Sequence, residues 1–280
     1  MEWLTDHKLP IGRKVEDGVD WLTDHGAWFF DGLAAVLEAV IQAILWVLQA
    51  PHPLIVVVLV TGIAYAVRRS LFFSGFVLAG GLLIINQGYW EETTETLALV
   101  LASSFVCMGV GVPLGVAAAR RPWLFAAMRP VLDLMQTVPT FVYLIPALIL
   151  FGLGMVPGLI ATVIFAIPAP IRLTHLGISS TPKPLVEAGE AFGATPWQLL
   201  WKVELPYALP QIMAGLTQTI MLSLSMVVIA ALVGADGLGV PTLRALNQVN
   251  IAKGFEVGLA IVLIAIILDR LFRGEQDDDK

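Results

Sequence analysis

Residues able to do chemistry are few in this chain of 280 residues, and they collect in a handful of places. Asp133 follows Arg129 by four residues, the spacing at which one helix face brings a carboxylate and a guanidinium together. Gln136, Thr137 and Tyr143 come next, neutral hydrogen-bonding groups inside an otherwise apolar run. Such groups either line a polar path or bond a neighbouring helix, and Asp133 is either a local ion pair or a gating or coupling contact. Glu187 and Glu190 sit in a polar insert, PLVEAGEAFGATPWQLLWKVELPYALP, from Pro184 to Pro210. Near the start, Trp3-Leu4-Thr5-Asp6-His7 recurs as Trp21-Leu22-Thr23-Asp24-His25, which gives two Asp-His pairs 18 residues apart. On a continuous helix both copies would share a face, but Pro10-Ile11-Gly12 should interrupt it. The pairs could bind a metal; the plainer expectation is an interfacial tail with Trp and Leu at headgroup level.

The familiar catalytic signatures are missing. The chain has no Gly-Lys-Ser/Thr phosphate loop, no His-Glu-x-x-His and no Gly-x-Ser-x-Gly. No catalytic residue, metal or cofactor is therefore expected. Asp277-Asp278-Asp279 belong to an acidic tail at 274–280. The single cysteine, Cys107, lies in an apolar run, so it reads as an inert buried thiol with no disulfide to join. A net charge of −6 without a basic patch gives no basis for nucleic-acid binding. The first 27 residues are acidic and lack a basic start before an apolar core, so no cleavable signal is expected.

With 58 % hydrophobic residues, 14 % charged and a mean hydropathy of +0.83, the chain reads as a polytopic membrane protein. Helices alone fit the long apolar runs, so the expected class is an all-α integral membrane bundle. Seven spans are expected, at 54–67, 71–87, 96–119, 131–151, 159–171, 211–233 and 255–268. Pro113 should kink the third, while Gly109, Gly111 and Gly115 permit close helix approach. Pro139, Pro146, Pro168 and Pro170 should kink the spans on either side of the 152–158 turn. Residues 28–50 are ambiguous. Asp31, Glu38, Gln42 and Gln49 form one stripe, which favours a helix in the interface over a spanning helix hiding two carboxylates. The domains are thus an N-terminal arm at 1–53, a membrane domain at 54–273 and the tail.

Arg68, Arg69, Arg120, Arg121, Arg129, Arg172, Lys183, Arg270 and Arg273 fall at alternate ends of successive spans. By the positive-inside rule these ends are cytoplasmic, and so is the loop at 173–207. Seven spans put the N-terminus outside; if 28–50 also crosses, there are eight and it moves inside.

The insert is closely specified. A short helix over Leu185–Phe192 should end at Gly193, and Thr195-Pro196-Trp197-Gln198 should cap a second helix. Leu205-Pro206 should stop that helix. Glu187-Ala188-Gly189, then Gly193, Val203 and Leu205-Pro206, resemble the EAA loop of bacterial ABC importer permeases, with Gly189 where the pattern has Ala. The stretch LDLMQTVPTFVYLIP from Leu132 to Pro146, LSLSMVVIA from Leu222 and IAIILDRL from Ile264 resemble the glycine betaine, proline betaine and choline permeases. The likeness runs from about 54 to 273 and is loose over the N-terminal arm.

That resemblance implies the type I importer fold in a bacterial inner membrane. It makes Glu187, Ala188, Gly189, Gly193, Leu205 and Pro206 the ATPase-coupling residues, with Asp133, Gln136, Thr137 and Tyr143 as path or gate residues. It further implies a homodimer with two ATPase subunits that use the ATP, and a separate substrate-binding protein. The expected cargo is glycine betaine or choline; an amino acid such as proline or methionine is the alternative.

Overall fold

A computed structural model of the chain describes residues 10–273. The first copy of the repeated pentapeptide and the acidic tail lie outside the described residues. Every regular element among those described is helical.

Helix α1, Ile11–Gln49, runs unbroken for 39 residues from Pro10, so the proline precedes the helix rather than interrupting it. Leu37 and Ile41 are buried in the main core, with Leu33, Ile44 and Leu45 against it. These residues recur every three or four positions, a seam that holds α1 lengthwise on the bundle. Phe30 meets Phe151 edge to face at 5.6 Å, and the Gln49 amide donates to the Thr94 hydroxyl at 2.8 Å. Asp31, Glu38 and Gln42 stay exposed. A helix of this length and apolarity can cross a membrane, the alternative that the sequence leaves open for 28–50. These three positions lie beside the packing seam, while Gln49 of the same stripe reaches the bundle. In the second copy of the pentapeptide, Trp21 stacks on His25 at 5.1 Å, and no metal-competent group of three ligands occurs among the described residues.

Two 16-residue apolar helices follow, α2 (Pro53–Arg68) and α3 (Leu71–Asn86), each about 24 Å long. Arg69 turns the corner between them with φ +48°. Gly81 lets them touch, since a Cβ there would meet Val57 at 2.8 Å. Helix α4, Trp90–Arg120, carries Pro113 inside an otherwise continuous helix. Helices α5 (Pro122–Thr137) and α6 (Thr140–Phe151) meet at 96°, so the span expected at 131–151 is a broken one. Val138 is extended before Pro139, as the proline ring requires of its predecessor, and the helix restarts after it.

Helices α7 (Met155–Ala166) and α8 (Pro168–Ser179) act as one central span, two-thirds buried. The insert supplies α9 (Lys183–Ala191) and α10 (Pro196–Leu199), followed by a wide turn at Leu200–Glu204 and by α11 (Leu205–Ala230). The Gly-rich loop after it contains a short helix, α12 (Gly239–Asn247), before α13 (Ile251–Phe272). Among the described residues, five helices are long and apolar enough to cross, six crossings if the bent pair counts as one. If the α2–α3 hairpin crosses as well, the eight-span arrangement is reached.

Lipid tails are as apolar as leucine, so close packing rather than water exclusion must hold these helices together. Small residues provide it where α4, α8 and α11 meet. A Cβ on Gly111 would lie 2.8 Å from Pro170, and one on Gly115 would lie 2.8 Å from the Ile171 carbonyl. The close approach expected at those two glycines is present; Gly109 faces open space instead. Gly115→Leu should therefore destabilise the purified chain by about 1–3 kcal/mol, as overpacking does. Gly109→Leu should be near neutral, and thermal unfolding in detergent compares the two.

Candidate functional site

The insert is a helix–corner–helix unit. Helix α9 ends at Phe192, and Gly193 takes the left-handed conformation at φ +78°. The Gly193 N–H donates to the Glu190 carbonyl at 2.8 Å, and the Ala194 N–H to the Gly189 carbonyl at 3.0 Å. This crossed pair is the Schellman ending that a glycine past the helix terminus allows. At Thr195 the capping box closes in both directions. The Thr195 N–H donates to Gln198 Oε1 at 2.8 Å, and the Gln198 N–H to Thr195 Oγ1 at 3.3 Å.

Leu205-Pro206 does not stop the second helix. Residues 200–204 widen into a π turn in which the Leu205 N–H bonds the Leu200 carbonyl, five residues back. In a regular α-helix the Pro206 ring would press on the carbonyl of Lys202 and leave it without a donor. The wider turn relieves that conflict, so the helical path runs from Pro196 to Val233. The insert is thus continuous with α11.

One contact holds the unit together and another fixes it to the bundle. A Cβ on Gly189 would lie 2.5 Å from Leu199 Cδ2, so the glycine lets α9 lie on α10. Arg120, the last residue of α4, donates through Nη2 to the Pro196 carbonyl at 2.7 Å and to Glu204 at 2.9 Å. The sequence showed Arg120 only as an orientation signal. Its adjacency to a capped helix across 76 residues had no local trace. Below it, Leu200, Ile178, Ala208 and Ile212 form a small apolar cluster on α4.

The opposite face is open. Glu187, Ala188 and Glu190 are exposed, and Phe192 is 92 % exposed at the corner. Trp197 and Trp201 stand edge to face at 5.7 Å, both well exposed. Carboxylates beside bare aromatics form a surface with docking chemistry, since aromatic anchors dominate protein interfaces.

The four proposed path residues divide. Asp133 pairs not with Arg129 but with Arg172 of α8, whose Nη1 also donates to Gln136 Oε1 at 3.1 Å. The Thr137 hydroxyl bonds the Asp133 carbonyl at 2.9 Å, a helix-internal contact. Tyr143 lies past the 96° bend, packed with Leu144, Ala161 and Met226. Its hydroxyl is buried without a hydrogen-bond partner among the described residues. Only Asp133 and Gln136 form a unit.

A second polar surface was not singled out from sequence. Ala214, Gln218, Met221 and Ser225 are exposed along one face of α11, whose other faces are largely buried. With Thr217, Leu222 and Arg273 they line an open groove of about 460 Å³. The 4-3-4 spacing was readable, but the apolar residues between masked it.

Elsewhere, the Leu238 N–H donates to Thr96 Oγ1 at 2.9 Å, which pins the Gly-rich loop onto α4. Gly237 fits only because a Cβ would lie 2.7 Å from that oxygen. Beside it, Glu91, Glu92, Glu95 and Asp236 form an acidic cup with Arg244.

Comparison with known proteins places this geometry. Residues 111–274 match the family described as binding-protein-dependent transport system inner membrane component. The chain is 45 % identical to the glycine betaine/carnitine transport permease protein of Listeria monocytogenes, over 94 % of each. It is 45 % identical to the glycine betaine transport system permease protein of Bacillus subtilis, over 94 % of this chain and 93 % of that one. The glycine betaine/proline betaine permease protein of Escherichia coli is 41 % identical over 97 % of this chain and 77 % of its own length. Among solved structures, an inward-facing methionine ABC transporter matches with TM-score 0.57 and 26 % identity, over 64 % of this chain and 92 % of that one.

The corner and the contact glycine make separable demands. Leu199 Cδ2 is the tip of a flexible side chain, so Gly189→Ala should be absorbed by a small rotation. Gly193→Val forces a branched residue into left-handed backbone, costing about 1–2 kcal/mol. Hydrogen exchange should show 183–204 faster in Gly193→Val and unchanged in Gly189→Ala.

Proposed function

The chain belongs to the family of binding-protein-dependent transport system inner membrane components, and from that premise we propose that it moves a betaine-type compatible solute inward. It is a multi-pass permease subunit of an inner-membrane ABC importer, not an enzyme. The proposed cargo is glycine betaine, a zwitterion with a quaternary ammonium, because the relatives at 41–45 % identity are named for glycine betaine transport. Import of methionine rests on a neighbour at 26 % identity and is the weaker reading.

The observation that carries the mechanism is the insert's two-sided construction. Its inner face is fixed to α4 by Arg120 and its outer face presents Glu187, Glu190, Phe192, Trp197 and Trp201. In the proposed scheme two copies of the chain pair, and each insert docks on one ATPase subunit, which binds and hydrolyses the ATP. Movement of the insert passes into α11 without a break, since the π turn keeps the helix continuous. The groove of Gln218, Met221 and Ser225 then lines the path, because polar groups at that depth need water or protein beside them. A substrate-binding protein delivers the solute at the outer face, where the acidic cup and the pinned Gly-rich loop lie.

Reconstitution of the chain with its ATPase and binding protein tests this. Glycine betaine should stimulate ATP hydrolysis, and methionine should not. Glu187→Lys should abolish co-purification of the ATPase while the permease itself stays folded; intact complex and transport would remove the docking role. Asp133→Asn should leave thermal stability within about 1 kcal/mol, as expected for a solvent-exposed pair. If the pair acts as a gate, the same variant should raise ATP hydrolysis in the absence of solute.

A further inference from the structure

An apolar crevice of about 250 Å³ opens between α2, α3, α4 and α13, away from the insert and from the polar groove. Val60, Ile63, Leu97, Leu101, Ile267 and Leu271 are among its walls, and Trp90, Thr93 and Thr94 supply its polar atoms. At the C-terminal end of α13 it is lined by Leu271 and Phe272. That end is basic. Arg69 is exposed at the corner of the α2–α3 hairpin, and Arg270 is exposed on the last turn of α13. The two elements are joined there, since Arg68 Nη1 donates to the Arg273 carbonyl at 3.2 Å and Ala64, Phe73 and Val77 pack with Ile267 and Leu271. Arg273 itself is paired with Asp269 at 3.3 Å and faces the α11 groove.

We propose that this crevice holds an acyl chain of an anionic phospholipid of the cytoplasmic leaflet, with its phosphate between Arg69 and Arg270. A slot lined almost wholly by apolar side chains is suited to hydrocarbon, and arginines at the cytoplasmic headgroup level select an anionic head. The acidic tail at 274–280 could compete for the arginines, but it has no apolar residue to fill the slot. The occupant is therefore lipid. Because α13 and α4 form its walls, the lipid would brace the hairpin against the transport core.

The test is native mass spectrometry of the full chain, titrated with phosphatidylglycerol or with phosphatidylcholine of the same acyl length. Phosphatidylglycerol should be retained at least about fivefold more strongly. Arg69→Asn, which keeps a residue tolerant of left-handed backbone, combined with Arg270→Gln should reduce retention to the phosphatidylcholine level. Leu97→Trp, which fills the slot, should lower retention of both lipids. Equal retention of the two lipids, or indifference to the arginine pair, overturns the proposal. If phosphatidylglycerol binds only after removal of residues 275–280, the tail is the native occupant of the basic end and the proposal falls. None of these readings depends on transport activity, so failure here leaves the transport assignment untouched.

Discussion

The close approach of α4, α8 and α11 is the constraint on which everything else rests. Four glycines make it possible: Gly111 and Gly115 on α4, Gly177 on α8 and Gly215 on α11. A Cβ on Gly177 would lie 2.9 Å from that of Ala208, and one on Gly215 would lie 3.2 Å from the Pro170 backbone. Backbones this close gain van der Waals contact that larger side chains would prevent, and in lipid that contact is the main attraction available. Ser103 on α4 donates to Ser223 on α11 at 3.0 Å, a fully buried bond that adds direction to the packing. The insert grows from α8 and returns through α11, so both of its roots lie in this block. A block with no slack moves as a unit, and a root in it is suited to carrying displacement rather than absorbing it.

Proline has three different outcomes in this chain, and neighbouring geometry decides which. At Pro139 the helix breaks and turns through 96°. At Pro206 it widens and continues, because the bond from Leu205 skips to Leu200. At Pro113 it continues within a helix packed tightly on α8. The residue type alone predicts disturbance at all three. What separates them is whether the freed carbonyl and the displaced ring find room, which depends on contacts far away in sequence.

That difference explains what could be read in advance. The class and the insert's caps follow from local or compositional rules, and Gly193, Thr195 and Gln198 stand as those rules require. In α1 the Leu33–Leu37–Ile41–Ile44 seam shows only once the bundle is packed, with Asp31, Glu38 and Gln42 exposed beside it. Asp133 was matched to Arg129 because helical spacing is visible in sequence and the approach of α8 is not. The partners of Arg120 are hidden for the same reason: they are 76 and 84 residues distant.

The ion pairs sharpen the mechanical reading. Arg120–Glu204 joins α4 to the turn that precedes α11, and Arg172–Asp133 joins α8 to α5. Each links an element of the central block to one outside it. Partly exposed pairs of this kind contribute little to net stability, about 0–1 kcal/mol each. Their value lies in direction, since a guanidinium holding two acceptors fixes an angle as well as a distance. Arg120 holds the Pro196 carbonyl and the Glu204 carboxylate together, so the second helix of the insert cannot tilt without losing one of them. A weak but two-point attachment of this kind can break and re-form readily, whereas a buried, strongly bound pair resists separation.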